Sequence, residues 1–201
     1  MRYTINSNLE YEARINKSHF IGSIGHISTS EGAKIFIQER SKLHNQAAHH
    51  CPAYILGDRG EICFSSDNQE PCGTAGKPIL NMLLRYELTN NIIVVTRYYG
   101  GVKLGVRGLI EAYSSVAEGV IQLGIKEPII KSVIYIIEMS YNYYDSFVHQ
   151  FTDPNITFLG VDFQEIIVIR MEVKETYIKD IRSELYVLEV QRRIKIRECN
   201  A

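Results

Sequence analysis

SSDNQEPCGTAGKPILNMLLRYELTNNIIVVTRYYGGVKLGVRGLIEAY, residues 65–113, is the stretch around which the rest of the chain is organised. It carries two glycine-rich turns, Pro71–Pro78 and Gly100–Gly108, with a helix-like run and the apolar segment Ile92–Thr96 between them. Each turn holds basic residues: Lys77 in the first, Lys103 and Arg107 in the second, with Arg97 just ahead of it. Glycine lets a backbone reach positive φ and approach a ligand closely. Successive free N–H groups in such turns form anion-binding concavities, more so where they lead into a helix N-terminus. Two such turns flanking one strand read as a site rather than as packing.

Working outward, residues 8–16 and 18–27 read as strands. Ser30 suits an N-cap, with Glu31 in the first turn of a helix that ends near His44. His50–Leu56 alternates as a strand, Gly57-Asp58-Arg59-Gly60 turns it, and Glu61–Ser65 returns as its hairpin partner. Pro78 fits a first-turn helical position, where its missing N–H would have no partner anyway. Ile79, Met82, Leu83 and Tyr86 then supply an apolar stripe. IIVVT is a continuous apolar run, typical of a strand covered on both faces. Gly108–Gly124 follows as a long helix, and Pro128 lies just beyond its end. From there the pattern restarts. Lys131–Ser140, Ile156–Phe163, Glu165–Val173 and Val190–Arg197 read as strands, Tyr141–Gln150 and Thr176–Leu188 as helices. That β-α-β-β-α-β order is the ferredoxin-like split motif. An α+β protein of two domains, 1–127 and 128–201, is expected.

At 201 residues, 45% hydrophobic and 22% charged, the chain has a globular rather than a disordered composition. No apolar run approaches the roughly 18–20 residues needed to span a bilayer, and the N-terminus lacks the apolar core of a signal peptide. A cytoplasmic protein with no membrane partner is expected. Cys51, Cys63, Cys72 and Cys199 form no CxxC pair and read as reduced thiols. The net charge of −1 gives no global basic field, so any nucleic-acid surface has to be a local patch.

Gly73, Gly76 and Lys77 invite comparison with a phosphate-binding P-loop, but that loop needs four residues between its glycines and a Ser/Thr after the Lys. Here two intervene and Pro78 follows, which argues against nucleotide hydrolysis. Simple anion binding by Lys77 and the Thr74–Lys77 backbone is the better reading; the alternative is a connecting turn with Lys77 solvated. Asp67 and Glu70 are weak candidates for a base or metal ligand, since carboxylates beside a lysine more often form surface ion pairs. Arg97 with Tyr98 and Tyr99 at a strand end suits phosphate or base contact; the alternative is an arginine satisfying nearby carbonyls. On a strand His49 and Cys51 share one face and His50 the other, which speaks against a Cys51–His50 nucleophile. No second compact ligand pair accompanies them, so no metal and no cofactor are expected. In QRRIKIR, Arg193, Lys195 and Arg197 share one face: a solvated strand face by default, an RNA-facing sheet as the weaker alternative.

HCPAYILGDRG, SSDNQEPCGTAGKPIL and VVTRYYGGVKLGVRGLIEAYS together resemble the signature of the YigZ/IMPACT family over about residues 18–124. Matching positions include Tyr54, Asp67, Glu70, Pro71, Gly73, Thr74, Ala75, Gly76, Lys77 and Pro78. In the second turn they include Thr96, Arg97, Tyr98, Gly100, Gly101, Lys103, Leu104, Gly105, Gly108, Leu109 and Tyr113. The resemblance implies a ribosomal protein S5 domain 2-like N-terminal domain, also seen in domain four of elongation factor G. It implies a ferredoxin-like C-terminal domain similar to domain five of that factor (elongation factor G domain V-like). The family usually reads SDDGEPSGTAG, whereas this chain has Asn68, Gln69 and Cys72. Arg107 replaces a glycine and Glu111 an arginine of the usual pattern. If that glycine requires positive φ, Arg107 strains or reshapes the turn.

Eukaryotic members of the family are linked to control of translation initiation through a kinase activator and carry an extra RWD domain. This sequence opens at the signature domain, so that partner is not expected here. The leading expectation is a non-catalytic, translation-associated regulator that binds RNA, the ribosome or another anionic ligand. Its expected contacts are Gly73, Thr74, Ala75, Gly76, Lys77, Arg97, Tyr98, Gly100, Gly101, Lys103, Gly105 and Arg107. One alternative is an enzyme acting on a small phosphorylated or nucleotide ligand at the same place; another is a protein-interaction module.

Overall fold

The computed structural model describes residues 1–130 and 132–200; Lys131, read above as a strand start, lies outside them. The chain divides into two compact units, Met1–Ile129 and Ile130–Ala201. Both mix helices with antiparallel sheet.

The first unit begins with β1 (Tyr3–Thr4), β2 (Leu9–Ile15), β3 (Ser18–His26), α1 (Ser30–Leu43), β4 (His49–Leu56) and β5 (Ile62–Ser65). It continues with α2 (Gly76–Arg85), β6 (Asn91–Tyr98), α3 (Gly105–Leu123) and β7 (Glu127–Pro128). Five strands form an antiparallel sheet in the order β2-β3-β6-β4-β5, which puts β6 at its centre. The IIVV run of β6 is continuous because both of its faces are covered. Ile93 and Val95 join the core under α2 and α3, while Ile92 and Val94 join a smaller core under α1. Alternation along one strand thus feeds two cores. Phe20 and Tyr113 meet edge to face in the larger core, with ring centres 5.4 Å apart.

Local signals account for most boundaries to within a few residues; the largest shift is at the last strand, which begins at Ile194 rather than Val190 because Val190 still closes the preceding helix. The N-cap of α1 is Thr29, not Ser30: the Thr29 Oγ1 accepts the Gly32 N–H at 3.0 Å. α3 starts at Gly105, three residues ahead of Gly108, because Gly105 itself supplies a positive φ of 72° at the bend into the helix. The pairing of β1 with β7 carries no periodic signal and was not foreseen. Asn91, fully buried, holds the nearby segment in place: its side chain accepts from the Ile5 N–H and donates to the Ile5 and Gly25 carbonyls.

The second unit runs β8 (Ser132–Met139), α4 (Tyr141–Gln150), β9 (Ile156–Phe163), β10 (Ile167–Lys174), α5 (Ile178–Val190) and β11 (Ile194–Asn200), with a single 3-10 turn at Glu175–Tyr177. Its sheet order is β11-β8-β10-β9, antiparallel throughout. Tyr135, Ile137 and Met139 alternate inward against Phe147, Phe151, Ile181 and Leu185 of the helices. Lys195 and Arg197 fall on the other face, where Arg197 pairs with Glu138 at 3.0 Å. Arg193 precedes the strand and lies over the Tyr143 ring. Among the described residues no helix is long and apolar enough to cross a membrane.

Two glycines of the signature turns are required by close approach. A Cβ on Gly76 would stand 2.7 Å from the Ser66 backbone, and one on Gly100 would collide with the Lys17 carbonyl in the β2–β3 turn. Gly100→Ala should therefore cost about 1–3 kcal/mol in urea unfolding. A variant as stable as the wild type would show that the second turn is not seated on Lys17 and Ser18.

Candidate functional site

The first turn is closed by the chain itself. One Asp67 carboxylate oxygen accepts the Ala75 and Gly76 N–H groups at 3.0 and 2.9 Å, and the other accepts Gly73 at 2.8 Å. The Thr74 N–H and hydroxyl both go to the Pro71 carbonyl. The concavity read above as an anion site is thus occupied by an internal anion at the N-terminus of α2, where Ala75 provides no side-chain cap. Gly73, Ala75 and Gly76 keep the predicted turn chemistry, but their N–H groups are already bonded. Lys77 stays exposed in the first turn of α2.

Glu70 and Arg97 form a buried pair. Arg97 Nη1 donates to Glu70 Oε1 at 2.7 Å, and the two residues are 4% and 8% exposed. Arg97 Nη2 donates to the Ser18 hydroxyl at 3.2 Å, and that hydroxyl also accepts from the Gly100 N–H. The guanidinium lies between the Phe20 and Tyr99 rings, and its Nε has no hydrogen-bond partner among the described residues. The Tyr113 hydroxyl donates to the same Glu70 oxygen at 2.8 Å. Arg97, expected at the surface on a phosphate, is instead a tie between β6, the first turn and the β2–β3 turn. Glu70 and Asp67, weak candidates for acid–base work, are respectively that tie's partner and the α2 cap.

The histidines and Cys51 divide as strand alternation requires. His49 Nδ1 donates to the Asn68 carbonyl at 2.9 Å, which leaves Nε2 3.7 Å from Glu70 Oε1. His50 turns to the other face and meets Thr96; burial, then His44 and His49, hold its pKa below the ordinary value. Cys51 is buried, and burial first of all pushes its thiol up to about 12, so it stays protonated. Burial likewise raises the Tyr113 hydroxyl, which remains a donor. Among the described residues no three His, Cys, Asp or Glu side chains are grouped to hold a metal ion.

The second turn is open. A pocket of about 540 Å³ is lined by His49, Glu70, Pro71, Arg97 and Tyr99 from the sheet side, and by Lys103, Leu104, Gly105, Val106 and Leu109 from the turn and α3. Leu104, at the N-cap of α3, makes no side-chain cap, and no acidic residue lies in the first turn. Its leading N–H groups therefore have no intrahelical partner and carry the positive end of a 19-residue helix. Lys103, Gly105 and Arg107 cluster there; Gly101 has positive φ in open space. Tyr99 is half exposed, whereas Tyr98 is engaged with His44 and His19 on the opposite face of the sheet. Leu104, Val106 and Leu109 were not singled out as pocket residues, because an apolar wall has the same sequence signal as a core.

The family profile of the Impact N-terminal domain matches residues 16–121. The chain belongs to the IMPACT family. It is 36% identical over 189 residues to the Bacillus subtilis IMPACT family member YvyE, covering 93% of this chain and 80% of that one. It is 43% identical over 102 residues to the IMPACT family member YigZ of Escherichia coli, covering 49% and 50% of the two chains. The crystal structure of a hypothetical protein superposes with a TM-score of 0.70 at 25% identity, covering 100% of this chain and 97% of that one.

Against the usual IMPACT pattern, the strained position is Gln69 rather than Arg107. Gln69 stands where the family has glycine and takes φ 69°, beside Asn68 at 43°. A left-handed backbone costs an L residue roughly 1–2 kcal/mol. The Asn68 side chain and carbonyl repay part of this by receiving the His50 N–H and the His49 ring. Arg107 lies in the first turn of α3 and pairs with Glu111 at 2.9 Å, so the two departures from the pattern form one surface i,i+4 pair.

For Asp67, burial acts to raise the pKa but the three N–H bonds outweigh it and hold the carboxyl below its ordinary value. A depressed folded-state pKa adds stability that is present above the unfolded value and is lost as pH falls through the folded one. Asp67→Asn should cost about 1–3 kcal/mol at neutral pH. The gap between variant and wild type in urea titrations should close as pH falls through the carboxylate range; a gap independent of pH would refute the capping charge.

Proposed function

We propose that this IMPACT family member is a non-catalytic, translation-associated regulator that binds RNA, free or on the ribosome, at the second glycine turn. The observation that carries the reading is the unfilled N-terminus of α3 opening beside Lys103 into the pocket over Arg97 and Tyr99. Orphan helix N–H groups and a flexible cation suit phosphate, and an exposed tyrosine suits a base. Family kinship supports the link to translation, through the starvation response with which eukaryotic members are associated. The reading also takes the first unit as ribosomal protein S5 domain 2-like and the second as ferredoxin-like, in keeping with the β-α-β-β-α-β order. Relatives of both folds form the ribosome-contacting end of elongation factor G. Asp67 and Glu70 are both engaged within the fold, which weighs against the alternative of an acid–base enzyme.

Fluorescence anisotropy with a single-stranded RNA, alongside co-sedimentation with ribosomes, tests the reading. Affinity should fall steeply between about 50 and about 200 mM salt, since phosphate contacts release counterions. Lys103→Glu should weaken binding about tenfold and reduce the salt slope by about one, whereas Lys77→Glu should have little effect. Absence of binding at low salt, or binding indifferent to Lys103→Glu, would refute it; capture of a protein partner that survives nuclease would point to an interaction module instead.

A further inference from the structure

We infer that the pocket over Glu70 and Arg97 receives one unstacked nucleotide and selects a base that carries an amino group. The inference rests on the RNA reading above and concerns what lies inside the same site. The pocket's size falls within the range of small-molecule sites, roughly 300–1,000 Å³. Its polarity is divided. Its lining includes Lys103 and the first turn of α3 around Gly105 and Val106, which has no side-chain cap and favours a phosphate. The same lining includes Glu70, nine-tenths buried and held in one pose by Arg97 and Tyr113. Both of those bonds fall on Glu70 Oε1, and no partner among the described residues takes Oε2.

An ionised carboxylate only accepts hydrogen bonds. Arg97 matches the Glu70 charge, but the unbonded Oε2 can only accept and calls for a donor, whereas Lys103 and the start of α3 call for an anion, so the ligand must offer both. Tyr99, also on the lining, lies over the Arg97 guanidinium with its ring centre 5.3 Å from Cζ, and is 49% exposed. A ring backed by a buried cation and partly open to solvent is a stacking platform. The apolar wall of Leu104, Val106 and Leu109 faces the same space and suits the edge of a base or ribose. A nucleotide meets all these demands together: phosphate at Lys103, ring on Tyr99, amino group at Glu70. Cytosine, adenine and guanine offer an exocyclic amino donor. Uracil offers one N–H flanked by two carbonyl oxygens, which a carboxylate opposes.

Cytidine and uridine monophosphate are matched in size and charge and differ at this edge alone, so calorimetric titration of the full chain with each tests the inference. Cytidine monophosphate should bind about tenfold tighter than uridine monophosphate, as a lost bond to a buried charged group implies. Glu70→Gln should bring the ratio close to one. Should that variant fail to fold, Tyr99→Ala, at a half-exposed position, should weaken both ligands about tenfold while leaving their ratio intact. Cytidine without its phosphate should lose about as much. Equal binding of the two nucleotides, or no binding of either while long RNA still binds through Lys103, overturns the base pocket and leaves the RNA reading standing. Failure of RNA itself to bind overturns that reading instead.

Discussion

The buried Glu70–Arg97 pair is the constraint on which both glycine turns depend. Glu70 belongs to the first turn and Arg97 to the end of β6, and the pair joins them through a 2.7 Å charge-assisted bond in the protein interior. Ser18 adds the β2–β3 turn and Tyr113 adds α3, so four separate segments meet on two side chains. Burying two charges is costly, and a buried pair can be no more stabilising than apolar residues of the same volume. Removing one partner alone leaves an uncompensated charge and costs about 3–5 kcal/mol. What the pair supplies is specificity of arrangement: β6 cannot slip and the turns cannot rotate without parting these two groups.

That tie determines which of the basic residues can act on a ligand. Arg97 has its charge matched and one donor of each Nη bonded within the fold, and serves as the floor under Tyr99. The N–H groups of the first turn are matched by Asp67, so this turn is an internally capped helix start. The second turn differs in one respect that matters: among the described residues no side chain caps α3. Two turns that look alike in composition therefore differ in structure, one closed by Asp67, the other open beside Lys103.

Much of the fold was legible in the sequence because it rests on periodicity. The IIVV run, the stripe of Ile79 and Leu83, and the inward alternation of Tyr135, Ile137 and Met139 each report their own burial within a few residues. The site was less legible because it rests on pairing over long separations. Arg97 meets a carboxylate 27 positions away, and a charge at a strand end looks the same whether solvent or Glu70 awaits it. Asp67 reaches forward six to nine residues to cap α2, an acceptor placed outside the usual N-cap position where sequence reading looks for one. Glycine at Gly105 read as a turn rather than as a helix start, which hid where the exposed N–H groups of α3 lie.

The central claim is that the second turn and the start of α3 meet the RNA while the first turn does not. Backbone amide chemical shifts, followed by NMR as single-stranded RNA is added, examine both turns in one experiment. Large shifts are expected at the Tyr99, Gly105, Val106 and Arg107 amides, with Gly73, Ala75 and Gly76 nearly unmoved. Large shifts confined to Gly73–Lys77, with the start of α3 silent, would contradict it.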